Sequence, residues 1–374
     1  MIKLPEIKFD CRYFKGHIPC KPNKLYGAVC NKCEYYDKTE EKVLIIKLGA
    51  AGDVIRTTPI LYPLKRDYPN AKIYWLTYSP SLVPSNVSQG LIADEILDYN
   101  LQNVSFLKEV QFDLLINLDK DKEAISLADT ITAKKKLGFT LKNGYCYPIN
   151  ENAEHKFITG LFDNVSQGNN RSYLDEMFEI CGYKYEGEKY ILNVDESYNR
   201  EWSIDKNKRV VGLNTGCGSR WISRLWENDK WLKLIELLNE NGFEVVLLGG
   251  PDEHERNTYL SENSAAKYFG TFNLKTFINL VNQCDLVVTQ VTMGMHIALG
   301  LGKKLVLMNN IFNPNEFELY GNGAIVSPRK ECKCYFAPQC TNDEYRCMDY
   351  MMPEDVFKSC NELLSTDQIS SPAR

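Results

Sequence analysis

Hydrophobic positions along this chain fall into short blocks separated by glycine-bearing turns and by longer stretches of mixed polarity. Val43-Leu-Ile-Ile-Lys47 is almost wholly branched and apolar, the pattern of a strand buried on both faces. Ala71–Thr77, Glu95–Tyr99 and Phe112–Asn117 follow as further strands. A helix is expected from about Asp53 to Arg66, with Ile60, Leu61 and Leu64 on one face and Pro59 and Pro63 disturbing its course. The same alternation then returns. Arg209–Asn214, Phe243–Leu248, Asp285–Thr289 and Lys304–Met308 read as strands. Trp226–Asn241, Leu274–Gln283, Met293–Gly302 and Pro353–Ser365 read as helices, the first ended by Gly242. Strands alternating with helices predict parallel sheets covered on both sides.

The pattern therefore predicts an α/β protein of two doubly wound, Rossmann-like halves. The boundaries expected are a Cys-rich arm over 1–41, a first half over 42–195, a second over 205–352, and a closing helix and tail over 353–374. The polar stretch Asp195–Lys208 serves as linker, and Thr366–Arg374 reads as loose. Paired α/β layers bind ligands at the carboxyl ends of their strands, which predicts one site in a cleft between the halves.

Composition narrows the class. The 374 residues are 44% hydrophobic and 25% charged, ordinary globular usage. Lys and Arg number 44 against 49 Asp and Glu, a net charge of −5 that argues against a nucleic-acid binder. The N-terminus has no apolar signal-peptide core, and no apolar run approaches the ~20 residues that span a bilayer. The expectation is a cytoplasmic protein, with peripheral contact at the inner face of a membrane still compatible. In that compartment thiols stay reduced and clustered cysteines more often bind metal than one another.

Cysteine is the unusual component, with 13 in the chain. Cys11, Cys20, Cys30 and Cys33 have the spacing C-x8-C-x9-C-x2-C, and Cys332, Cys334, Cys340 and Cys347 have C-x-C-x5-C-x6-C. The Cys30-Asn-Lys-Cys33 step suits two thiolates gripping one ion, and the arm around it has little hydrophobic periodicity of its own. A structural zinc is expected there, with His17 an alternative ligand. The second spacing is less regular and leaves metal and free thiols balanced. Zinc and iron both suit thiolates. A closed set of four cysteines is structural rather than catalytic, and the sites could hold loops in place or build a homo-oligomer.

Four strand-end loops carry the candidate chemistry. Gly49-Ala-Ala-Gly52-Asp53 is a glycine turn into a helix, and helix N-terminal amides favour anions. Locally, Asp53 reads as an N-cap before a catalytic base. Asn214-Thr215-Gly-Cys-Gly-Ser-Arg220-Trp-Ile-Ser-Arg224 offers hydroxyls, glycines and two arginines, the residue that pairs well with phosphate oxygens. Gly249-Gly-Pro-Asp252-Glu253 adds carboxylates that could take a ribose hydroxyl or simply start a helix. Thr289-Gln-Val-Thr292-Met-Gly294-Met-His296 places a hydroxyl, a glycine and a histidine at another helix start. Together they describe a nucleotide-diphosphate site.

The order of these motifs resembles glycosyltransferase family 9, the ADP-heptose:lipopolysaccharide heptosyltransferases. The run Val43–Pro59 is similar to that family's opening strand and loop. Leu213–Gly216 with Arg224-Leu-Trp226, Val246–Glu253, and Cys284–Thr289 through Ala298 are similar to its later loops. The resemblance covers about Lys42 to Val356. It implies a GT-B fold and an inverting sugar transfer, with Asp53 as general base. It also implies that Arg224 holds the donor diphosphate, that Glu253 lies near the donor nucleoside, and that Thr292 and His296 serve the phosphate and sugar. Gly52, Thr215, Arg220 and Gly294 complete the expected donor set, and no catalytic metal is required. The donor implied is a nucleotide sugar, ADP-heptose by analogy, and the acceptor a glycolipid, a lipopolysaccharide core or a protein. One departure stands out: the acidic residue usual before the last threonine is Val291. A different sugar, or a contact shifted to Gln290, would follow. The rival class is a non-catalytic nucleotide-sugar-binding or carbohydrate-binding protein of the same fold.

Overall fold

The computed structural model describes residues 2–85, 90–218 and 220–365, so the loose tail expected at Thr366–Arg374 and the turn residue Ser219 lie outside the described residues. Two six-stranded sheets organise the chain. The first runs β3-β2-β1-β4-β5-β6, with β1 at Lys42–Ile46, β2 at Lys72–Thr77, β3 at Glu95–Asp98, β4 at Phe112–Asn117, β5 at Ala133–Lys142 and β6 at Tyr145–Pro148. Only β5–β6 is an antiparallel pair. The second runs β12-β11-β10-β7-β8-β9, with β7 at Val210–Asn214, β8 at Glu244–Leu248, β9 at Lys267–Tyr268, β10 at Leu286–Gln290, β11 at Lys304–Met308 and β12 at Gly323–Val326. Every pairing in it is parallel. Both sheets start at a central strand and reverse direction of addition once, the doubly wound order expected.

The central strands are buried as their sequences require. Val43 to Ile46 have no exposure, because both faces of a parallel sheet are covered. The expected first helix is broken: Ala51–Thr57 is helical, Thr58–Ile60 tightens to a 3-10 turn, and Leu61–Asp67 resumes. Pro59 enters that tight turn, and Pro63 sits in the first turn of the second piece, where a missing N–H costs nothing. In Asn228–Glu240, Trp231, Leu234, Ile235 and Leu238 form one buried stripe. Trp231 meets Trp226 edge to face at 4.8 Å, and the Trp226 indole donates to the Met351 carbonyl. The last helix, Pro353–Ser365, buries Val356, Cys360 and Leu364 in the same core.

By contacts the chain divides into two compact units that interleave in sequence. The first comprises the described residues up to Gly49, Pro59–Glu154 and Phe178–Tyr183. The second comprises Ala50–Thr58, His155–Met177 and the described residues from Lys184 onward. The N-terminal arm belongs to the first, where Arg12 donates to Asp37, Asp94 and the Ala71 carbonyl, and Lys15 pairs with Glu95. Among the described residues no helix is long and apolar enough to cross a membrane.

Candidate functional site

In the second unit, loops at the carboxyl ends of β7, β8 and β10 line a cavity of about 550 Å³. Its wall includes Asn214, Gly216, Cys217 and Gly218 after β7, Gly249 to Glu253 after β8, and Val291 to Gly294 after β10. Trp221, Arg224, Phe272, Leu274 and Phe277 complete it. The size suits a nucleotide-sized ligand.

Arg224 is its most informative residue. The side chain is 3% exposed, yet no carboxylate among the described residues pairs with it. One guanidinium nitrogen donates to the Val291 carbonyl and another to the Cys217 carbonyl at 2.9 Å, while Nε has no partner. Trp221 and Phe312 flank its charge at 5.7 and 5.1 Å. Burial pushes its pKa down to about 10, still cationic at neutral pH. A buried cation tied only to carbonyls is electrostatically uncompensated, and an anion in the cavity would supply the missing charge. Val291, in place of the usual acid, contributes its carbonyl to this arrangement.

Glu253 is fixed by glycines. Its carboxylate accepts the Gly250 N–H at 2.8 Å. A Cβ on Gly216 would collide with that carboxylate, and one on Gly249 would lie 2.6 Å from the Glu253 Cβ. The two glycine loops are therefore glycine because a carboxylate packs between them. Thr292 caps Met293–Gly300 by accepting the Gly294 N–H, and its hydroxyl also takes a bond from Asn214. Gly294 is itself tight, with a Cβ position 3.2 Å from the Asn214 amide.

His296 and Asp53 come together in the same unit. A Cβ on Gly52 would stand 2.5 Å from the His296 ring, so only glycine lets Ala51–Thr57 approach the imidazole. His296 is buried, its Nδ1 lacks a partner, and burial with the nearby Arg56 charge lowers its pKa to about 3. It is a neutral imidazole at physiological pH. Asp53 is not the N-cap that local reading favoured. The cap position is Ala50, and Asp53 sits within the first turn, ion-paired with Arg56 at 2.8 Å. Burial opposes the Arg56 charge, but Asp53 and the ring of Tyr173, 3.4 Å below the guanidinium, hold its pKa above the usual range. Tyr190 packs against His296 at 5.8 Å.

Four expected donor residues stand apart from the cavity wall: Gly52 and His296, which pack against each other, and Thr215 and Arg220. Thr215 is fully buried and spends its hydroxyl on Asn257 at 2.6 Å. Arg220 is exposed and lies over the Trp221 ring at 5.0 Å. Sequence reasoning missed Arg56, Tyr173 and Tyr190. Arg56 was detectable as the residue three after Asp53, the spacing of a helical ion pair. The tyrosines gave no local signal.

The cysteines are free thiols, and among the described residues no three His, Cys, Asp or Glu side chains form a closed ligand set. In the C-terminal cluster the thiols stand in pairs. Cys334 and Cys340 sulfurs are 3.6 Å apart, and the Thr341 N–H donates to the Cys334 sulfur at 3.1 Å. Cys332 and Cys347 share a hydrogen bond that raises one thiol and lowers the other, and Asn310 donates to the Cys347 sulfur. In the arm, Cys11, Cys20, Cys30 and Cys33 all line one small cavity, whereas His17 is exposed and bonded to the Lys15 carbonyl.

Comparison with known proteins agrees with this architecture. The chain is 27% identical over 224 residues to lipopolysaccharide heptosyltransferase 3 of Escherichia coli K12, a match covering 54% of this chain and 60% of that protein. The chain thus spans less than two thirds of that relative's length. It is 21% identical over 309 residues to the lipopolysaccharide core heptosyltransferase OpsX of Haemophilus influenzae, covering 77% of this chain and 84% of that one. The crystal structure of a family 9 glycosyl transferase from Veillonella parvula superposes with a TM-score of 0.64 at 17% identity, covering 88% of this chain and 98% of its own. The fold is GT-B, as the sequence predicts. The sequence model of glycosyltransferase family 9 (heptosyltransferase) matches residues 104–346, and the chain belongs to that family.

Proposed function

We propose that this protein is an inverting glycosyltransferase that moves a heptose from ADP-heptose to a hydroxyl of a lipopolysaccharide core, another glycolipid or a protein. The observation that carries the reading is Arg224: a buried cation without a carboxylate partner among the described residues, in the wall of a cavity framed by glycine loops and one helix N-terminus. A diphosphate supplies the charge this arrangement lacks. Glu253 stands in the same wall, which supports a role toward the donor nucleoside.

Asp53 takes the proton from the acceptor hydroxyl, and that oxygen attacks the anomeric carbon from the face opposite the diphosphate. The new glycosidic bond forms as the bond to diphosphate breaks, and the nucleoside diphosphate leaves with the electron pair. Arg224 and the amides at the start of Met293–Gly300 stabilise the leaving charge. Arg56 holds the Asp53 carboxylate in place until acceptor binds. The chain's part in this transfer needs no catalytic metal. The C-terminal cysteines would hold a structural thiophilic ion, zinc or iron, once their two adjacent sulfur pairs, with N–H groups directed at them, draw together into one ligand set.

The test is ADP release from ADP-heptose in the presence of candidate acceptors. Asp53→Asn should lower turnover ~10²–10⁴-fold while donor affinity stays near wild type. Undiminished turnover in that variant would remove Asp53 from the chemistry. Tight ADP-heptose binding with no ADP released under any acceptor would favour the non-catalytic binding protein, the reading that Val291 supports.

A further inference from the structure

The N-terminal arm is ordered without a hydrophobic core. Among its described residues, 2–41, only Pro22 is buried. Leu4, Phe9, Ile18, Leu25 and Val29 are all substantially exposed. A segment of this length cannot hold one conformation by burial of this kind, and small domains in that position rely on a metal or on disulfides. The arm also lies outside residues 104–346, so the family match says nothing of it.

Its local structure sets four cysteines around one small cavity, although among the described residues no three of them stand close enough to hold an ion without moving. Cys30 opens the 3-10 turn Cys30–Lys32 and Cys33 ends it, and residues three apart on such a turn lie one above the other. Cys20 is the N-cap of Lys21–Tyr26, a helix closed by Gly27 in the left-handed conformation at φ 66°. Cys11 makes an isolated antiparallel bridge with Lys38, joining the arm's beginning to its end. The cavity these four line measures about 30 Å³. That holds one ion or one water molecule and excludes any organic ligand. Lys8 also lines it and lies over the Tyr36 ring at 5.5 Å, a cation beside a site that four thiolates would make anionic. The four cysteines are free of disulfides.

We propose that Cys11, Cys20, Cys30 and Cys33 bind one thiophilic metal ion, with zinc as the fitting ion, and that this ion is what folds the arm. Binding draws the four sulfurs inward to ~2.3 Å from the metal and releases their protons. The role is structural, because four protein thiolates leave no open position for substrate. The site is separate from the C-terminal cysteines and stands whether or not the sugar-transfer reading holds.

The full chain, purified reduced and without chelator, is assayed by elemental mass spectrometry beside Cys30→Ser/Cys33→Ser and Cys334→Ser/Cys340→Ser. The arm variant should lose one metal equivalent per chain relative to wild type, independently of any loss in the C-terminal variant. Zinc or iron in that equivalent identifies the ion. Should the arm variant fold poorly, wild-type protein gives a second reading: alkylation of the four arm thiols should be slow and rise at least tenfold after chelation. Unchanged metal content in the arm variant overturns the proposal. So do thiols labelled equally with and without chelator, or disulfides among the four in the unreduced protein.

Discussion

Each sheet carries a buried cation beyond its central strand, and the two are treated in opposite ways. Lys47 follows β1, is 4% exposed, and pairs with Asp119, which is 72 residues away and equally buried. The same carboxylate accepts the amides of Leu48 and Gly49, so it also fixes the turn that leads out of the strand. Burial raises the Asp119 pKa, with Lys47 working against that rise. Arg224, beyond β7, has carbonyls and aromatic rings but no acid among the described residues. A compensated buried pair contributes to one conformation and has no use for a ligand. An uncompensated buried cation is costly in the empty protein and inexpensive only when an anion arrives. The contrast separates structure from function more clearly than either residue type or burial alone.

The largest effect should come from breaking the compensated pair. Lys47→Met strands Asp119 in the interior and should cost ~3–5 kcal/mol of stability, read as a shift in the urea midpoint. Adding Asp119→Leu should recover much of it, since an apolar pair can replace a buried ion pair. The uncompensated cation should respond the other way. Arg224→Met should weaken ADP binding by ~1.5–3 kcal/mol, about 10- to 150-fold by calorimetry, with far less loss of stability than Lys47→Met. Equal destabilisation by the two variants would abolish the distinction.

The close approach in the second unit gives the next test. Gly52→Ala sets a methyl against the His296 ring and should cost ~1–3 kcal/mol, with thermal unfolding as the measurement. The smallest effect is spread over pH. His296 has a folded pKa of about 3 against 6.5 for a free histidine. Its contribution to stability is whole above pH 6.5 and is lost as pH falls, because the unfolded chain takes the proton first. Relative to His296→Gln, wild type should lose up to ~1.4 kcal/mol per pH unit between 6.5 and about 3. Identical pH profiles would mean that His296 is solvated rather than buried neutral.

Much of the fold was legible. β1, β4 and β11 match the sequence reading to within a residue, because unbroken branched apolar runs have few alternatives to a buried strand. The β5–β6 hairpin was not read. Its Ala133-Lys-Lys-Lys136 start is polar and partly exposed, and its strand character depends on pairing with β4 and β6. The site was legible as a set of loops. Asp53, Glu253, Thr292 and His296 were named from their positions at strand ends, but their partners were not.

The sequence by itself determined where the strands end, where glycine is needed and which residues carry charge, since these follow from local pattern and from the chemistry of each side chain. Only the tertiary structure decided which charges are neutralised. Asp119 reaches Lys47 through the pairing of β1 with β4, and no carboxylate among the described residues reaches Arg224. Likewise the glycine at position 52 was visible in the sequence, while its reason, the His296 ring from a helix more than two hundred residues later, was not. Compensation and close approach are relations between distant segments, and a linear pattern holds no record of them until the chain has folded.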